Sequence, residues 1–186
     1  MTDSLISEIQ KIADFSAEDI ALFSSSFQET FISKGDHFLV EGQVSKHLGY
    51  IKSGLIMHYK IINDIEIPAD FTKENEWVAY LKSFTNATAS DMSIKALEDT
   101  QLLTLSNTAM SELFSKQPKF MALRSYYTEI SFIRNTEHTA NLASLNAKQR
   151  YYKFMKDQPA LLNRIPQYYI AAYLGIKPQS LSRVRK

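Results

Sequence analysis

Near its C-terminus the chain sets out a row of side chains able to hydrogen-bond nucleic acid. Gln179, Ser180, Ser182, Arg183, Arg185 and Lys186 surround Leu181 and Val184, which stand three apart and so share one face of a helix. An Arg guanidinium can clamp guanine O6 and N7, and a Gln carboxamide suits adenine. Serine hydroxyls and terminal basic groups suit phosphate oxygens, which fix register without reading sequence. On this reading Gln179 and Arg183 face bases. Ser180, Ser182, Arg185, Lys186 and Tyr168 hold phosphates, and Lys148 and Lys153 add backbone contacts from upstream.

Two short helices around a tight turn must position these groups. Ile170, Ala171, Leu174 and Ile176 supply the apolar side of the first helix and the turn. Gly175 stands where that helix must stop, because glycine takes a left-handed backbone at little cost. Pro178 suits the first turn of the next helix, where a missing N–H is harmless. The pattern is that of a helix-turn-helix whose second helix can enter a major groove. An ordinary helical hairpin has the same local signals. Charge separates the two: residues 147–186 carry nine Lys/Arg and one acid, Asp157. The rest of the chain carries twelve basic and nineteen acidic groups. A strongly basic end on an acidic body is an electrostatic footprint for nucleic acid. Residues 147–157 form a further basic amphipathic helix, with Tyr151, Phe154 and Met155 facing the helix-turn-helix core.

The 186 residues, 45% apolar and 12% aromatic, suffice for one large domain or two small ones. Without cysteine there is no disulfide, thiol switch, Cys-ligated zinc or Cys-held iron–sulfur cluster. His37, His47, His58 and His138 show no metal-ligand spacing, so no metal and no cofactor is expected. No signal-peptide pattern opens the sequence and no apolar run reaches a membrane span, so a cytoplasmic location without membrane association is the expectation.

Upstream the periodicity changes twice. Leu5, Ile9 and Ile12, then Ile20, Phe23 and Phe27, recur at helical spacing over residues 4–30, with Ser16 as an N-cap before Glu18 and Asp19. From Phe31, β-branched and aromatic runs are broken by Lys34-Gly35-Asp36, Glu41-Gly42, Lys52-Ser53-Gly54 and Asn63-Asp64. Short strands at such intervals predict a small β-roll, resuming at residues 93–97 and 101–105. A short helix and a long loop fill residues 71–91. Ser106 caps a helix through Met110 and Leu113. From Pro118 to Leu145 one helix would run about 40 Å. A helix so long in a small protein either lies along its own roll or packs along a partner; the expectation is a second copy, with Leu123, Tyr127, Ile130 and Arg134 on the dimer helix.

This order resembles the CRP/FNR family of bacterial transcription regulators. Lys34-Gly35-Asp36 to Glu41-Gly42, then Tyr50-Ile51-Lys52-Ser53-Gly54, resembles the front of the family's cyclic-nucleotide-binding-type roll. Asn141-Leu142-Ala143, Leu145 and Arg150 resemble its junction between dimer helix and DNA-binding domain. Leu174-Gly175-Ile176 with Ser180-Leu181-Ser182-Arg183 resembles its recognition-helix signature. The resemblance implies a homodimer on a near-palindromic double-stranded operator, a small-molecule effector of unknown identity, and RNA polymerase as a further partner.

The chain departs from the family where cyclic nucleotides are held. Asn75-Glu76 stands in place of a Gly-Glu pair, and Ser90-Asp91-Met92-Ser93 in place of Arg-Ser-Ala. No Arg precedes Arg124. A cyclic phosphate would lose its bidentate partner and meet Asp91, so cyclic AMP is not bound in the usual mode. Glu76, Trp77, Ser90, Ser93, Asn135 and Thr136 remain the residues of a possible effector pocket. Buried Asn and Thr at a dimer seam can equally set register without any ligand. Pro178-Gln179 replaces an Arg-Glu pair at the start of the recognition helix, so the operator differs from the best-known one.

The expected fold is α+β. It comprises a cyclic-nucleotide-binding-like effector domain (1–117), a long dimerisation helix (118–145) and a helix-turn-helix domain of winged-helix type with a reduced or absent wing (146–186). The expected function is sequence-specific regulation of transcription rather than enzymatic catalysis. The alternative is a sensing or partner-binding roll whose basic end binds DNA without sequence preference, or a protein.

Overall fold

The structure is a computed structural model, and it describes residues 3–184. Two helices open it, α1 (Asp3–Ile12) and α2 (Ala17–Ser25). The Ser16 hydroxyl accepts from Asp19 N, and the Asp19 carboxylate accepts from Ser16 N, a closed capping box that satisfies two helix-end donors. Asp19 also accepts from Gln117 Nε2 at 2.7 Å. That bond, with the one from Ser16 N, holds its carboxyl below the usual carboxylate range. The helical reading of residues 4–30 overshoots: Gln28–Ile32 is strand β1, because its alternate residues pair along a second strand rather than closing a turn.

Eight strands follow among the described residues: β1, β2 (His37–Leu39), β3 (His47–Ser53), β4 (Leu55–Ile62), β5 (Ile65–Lys73), β6 (Trp77–Val78), β7 (Ser93–Ala96) and β8 (Thr100–Ser106). They form two four-stranded sheets in the orders β1-β8-β3-β6 and β2-β7-β4-β5. Ile32, Leu39, Ile51, Ile56, Val78, Ile94 and Leu102 form one buried cluster. Gly54 ends the β3–β4 link at φ +109°, where a Cβ would lie 2.4 Å from Thr100 Oγ1, so only glycine fits. The stretch 71–91, expected to be a short helix and a long loop, instead begins with the end of β5 and strand β6, followed by helix α3 (Leu81–Asn86) and the 87–92 loop.

Helix α4 (Asn107–Lys116) begins at Ser106, whose hydroxyl accepts from Ala109 N. A 3-10 turn over Pro118–Phe120 leads into the 24-residue helix α5 (Met121–Ser144), then α6 (Ala147–Asp157), α7 (Gln167–Tyr173) and α8 (Pro178–Val184). By chain contacts the protein forms two compact units. The first takes the residues up to His58 and Phe71–Glu129. The second takes Tyr59–Asp70 and the described residues from Ile130 on. The second unit therefore contains the far part of the β4–β5 hairpin, the later part of α5, and α6 to α8.

Candidate nucleic-acid interface and effector face

Helix α7 ends as its sequence dictates. Gly175 has φ +64°, its N–H donates to Ala172 O, and Ile176 N donates to Ala171 O, completing a Schellman cap. Helix α8 opens at Pro178, with Ser180 N and Leu181 N both bonded to Lys177 O. Ile170 (0% exposed), Leu174 and Leu181 are buried with Tyr151 and Phe154 of α6. Removing an apolar side chain from such a site typically costs about 2–5 kcal/mol. The Arg150 guanidinium donates to Leu174 O (2.7 Å), Leu145 O (2.5 Å) and Leu142 O (3.4 Å), joining the ends of α5 and α7.

With Leu181 turned inward, Gln179, Ser182 and Arg183 are exposed on α8 and Ser180 is half-buried. Tyr168, 55% exposed, lies with its ring centroid 4.2 Å from that of Tyr169. Lys148 lies over the Tyr152 ring, and Lys153 is bonded to Asp157 at 2.9 Å, which raises its pKa. The expected contacts at Arg185 and Lys186 lie outside the described residues. Among the described residues 147–184 there is no strand, only helices and a 3-10 turn over Pro159–Leu161.

The four residues expected on the dimer helix lie in different surroundings on α5. Leu123 is buried in the first unit, and Tyr127 packs against Trp77 at 5.4 Å between ring centroids. Arg134 is paired with Asp70 at 2.5 Å within the second unit. Leu123, Tyr127 and Arg134 thus face residues of their own chain, and of the four only Ile130 is exposed. The outward apolar stripe is Tyr126, Ile130 and Ile133, continued by Ala140, at the i, i+4, i+7 spacing of one helix face. Phe132 is a further exposed aromatic.

Of the proposed effector residues, Glu76, Trp77, Ser90 and Ser93 belong to the first unit and Asn135 and Thr136 to the second. Glu76 lies on the β5–β6 turn, where its carboxylate accepts from Lys73 N (3.1 Å) and Lys73 Nζ (3.0 Å). Trp77 packs among Phe27, Tyr50 and Tyr127. Its indole nitrogen and the Tyr127 hydroxyl are buried without a hydrogen bond of good geometry, though close enough to influence each other. Ser90 and Ser93 are buried and engaged: the Ser90 hydroxyl bonds Met92 O, and the Ser93 hydroxyl accepts from Glu41 N. Asn135 and Thr136 are exposed on α5 in the second unit.

The sequence reading missed the partner of Asp91. Tyr80 Oη donates to Asp91, and Lys82 Nζ approaches the same carboxylate at 3.8 Å. Burial, then the bond to Asp91, pushes the Tyr80 phenol up to about 12, so it stays a donor at neutral pH. Its only sequence signal was an aromatic hydroxyl eleven residues before the acid. Across the described residues, no group of three or more His, Cys, Asp or Glu is placed to hold a metal ion. No helix of the described residues is long and apolar enough to cross a membrane.

Two sheets of four strands followed by a long helix and a helical C-terminal unit define the class, a cyclic-nucleotide-binding-type roll joined to a helical module. The profile of the cyclic nucleotide-binding domain family matches residues 29–117. No curated protein is similar enough in sequence to count as a relative. Among solved structures, FixK2 from Bradyrhizobium japonicum is 14% identical with a TM-score of 0.75, over 86% of this chain and 82% of that one. The c-di-GMP responsive global regulator CLP of Xanthomonas campestris is 16% identical with a TM-score of 0.71, over 91% and 89%. A CRP/FNR-family regulator from Eubacterium rectale is 15% identical with a TM-score of 0.70, over 92% and 82%. Residues 29–117 are thus similar to a cyclic nucleotide-binding domain, and the chain shares the fold of these regulators.

Proposed function

We propose that the protein is a homodimeric, sequence-specific DNA-binding regulator of transcription. The observation that carries this reading is the exposed row Gln179, Ser182 and Arg183 on α8, held over a buried apolar core at the basic end of the chain. The fold shared with FixK2 and CLP supports it, and so does the exposed apolar stripe on α5. A dimer would meet two half-sites about one helical turn apart, which makes the operator a near-palindrome. Selection of bound duplexes from a random pool tests the reading. A palindromic consensus is the expected result, and enrichment of no sequence would favour the sequence-independent alternative.

Arg183→Ala is expected to weaken operator binding by about 1–3 kcal/mol and to relax preference at one base position. Repeating the selection with the variant checks both parts. Unchanged affinity and an unchanged consensus would remove Arg183 from the reading surface.

Effector control by cyclic AMP in the usual mode is not part of this proposal. Asp91 places negative charge at the cassette position, and the Ser90 and Ser93 hydroxyls are committed to backbone partners. Thermal melts with cyclic AMP, cyclic GMP and cyclic dinucleotides are expected to coincide with the ligand-free melt. A rise of several degrees at micromolar ligand would overturn the assignment.

A further inference from the structure

The far part of the β4–β5 hairpin belongs to the same compact unit as the helices of the proposed DNA-binding module. Its turn, Asn63-Asp64, has φ of +51° and +61°, the left-handed pair that suits a tight two-residue hairpin. Asp70, lower on β5, is held by Arg134 of α5. Between them, the half-buried Glu66 carboxylate accepts a hydrogen bond from Tyr169 Oη. Tyr169 is 5% exposed and sits in the first turn of α7, next to Tyr168, the phenol assigned to phosphate. The two rings lie 4.2 Å apart, so the orientation of one restricts the other.

Resting on the DNA-binding reading above, we infer that Glu66 is a positioning residue for DNA binding. Through its bond to Tyr169 it fixes the first turn of α7, and so aims the Tyr168 hydroxyl at a phosphate. A hydrogen bond to a carboxylate is among the stronger ones, and the Tyr169 phenol also lies within hydrogen-bonding reach of Tyr168, which links the two phenols to the same acid.

The sign of the effect separates this role from plain electrostatics. Glu66 is an acid close to a surface assigned to a polyanion. If it acted only as a charge, its removal would tighten DNA binding. Positioning requires the opposite.

The test uses the full chain and the duplex selected by the wild-type protein, read by fluorescence anisotropy, with melting curves as the check on folding. Glu66→Ala and Tyr169→Phe are each expected to weaken binding about tenfold. Glu66→Gln, which loses the charge but keeps an acceptor, is expected to stay within about threefold of wild type. In a Tyr168→Phe background, Glu66→Ala is expected to add little, because the group it positions is already gone. If Glu66→Ala does not fold, Tyr169→Phe and Glu66→Gln carry the comparison. Wild-type or tighter binding by Tyr169→Phe and by whichever Glu66 variant folds would overturn the inference and leave the DNA reading intact. Full additivity of Glu66→Ala with Tyr168→Phe would overturn it equally. If the wild-type chain selects no duplex, the DNA reading falls and this inference with it.

Discussion

Aspartate in place of Ile133 is expected to leave the protein folded, monomeric and at least about 100-fold weaker on its operator. Ile133 is 50% exposed and lies on the outward stripe with Tyr126 and Ile130. A polar substitution at such a surface position normally changes the stability of a protomer by no more than about 0.5 kcal/mol. In a two-fold seam the same change counts twice, and each buried, unpaired carboxylate costs several kcal/mol. The affinity loss follows because two linked half-site readers gain about 10²–10⁴ over one. Light scattering reports the oligomer and a gel shift on the selected duplex reports affinity. A variant that stays dimeric at micromolar concentration would show that this stripe is not the seam.

Phe120→Ala is expected to cost the first unit about 3–5 kcal/mol, with a fall in melting temperature on the order of 10–20 °C. Phe120 is 1% exposed and stacks on Phe15 at 4.8 Å and on Phe23 at 5.3 Å. The same cluster contains Leu5, Ile9, Leu113 and Leu123. Truncation leaves a void lined by side chains of α1, α2, α4, the start of α5 and strands β3 and β8. The lining therefore cannot collapse freely into the space. Gln117, three residues earlier, is already tied to Asp19 of α2. Chemical denaturation monitored by circular dichroism gives the loss directly. A change below about 1 kcal/mol would mean that the cluster repacks, contrary to this account.

The other expected effects are smaller because they act at the surface. Arg183→Ala removes one base contact, and the Glu66 variants alter one positioning bond. Both are read as changes in binding with the fold preserved, so melting curves separate them from Phe120→Ala.

Local chemistry was legible in the sequence. Ser16 with Asp19, Ser106, Gly175 and Pro178 each specify a helix end through neighbours no more than four residues away, and each stands at the end it predicts. The inward Leu181 and the exposed Gln179, Ser182 and Arg183 follow from the same short-range periodicity. Turn residues every eight to ten positions were enough to mark a roll. Helix α5 was different. Apolar side chains lie on more than one of its faces, so periodicity could not separate the face that packs within the chain from the outward one. The tertiary structure decides that by giving Leu123 a core, Tyr127 an indole to pack on and Arg134 the carboxylate of Asp70. The bonds Tyr80–Asp91 and Tyr169–Glu66 were also beyond the sequence. Their partners are 11 and 103 residues apart, and only the folded course of strands β5 and β6, the 87–92 loop and helix α7 brings a phenol to a carboxylate.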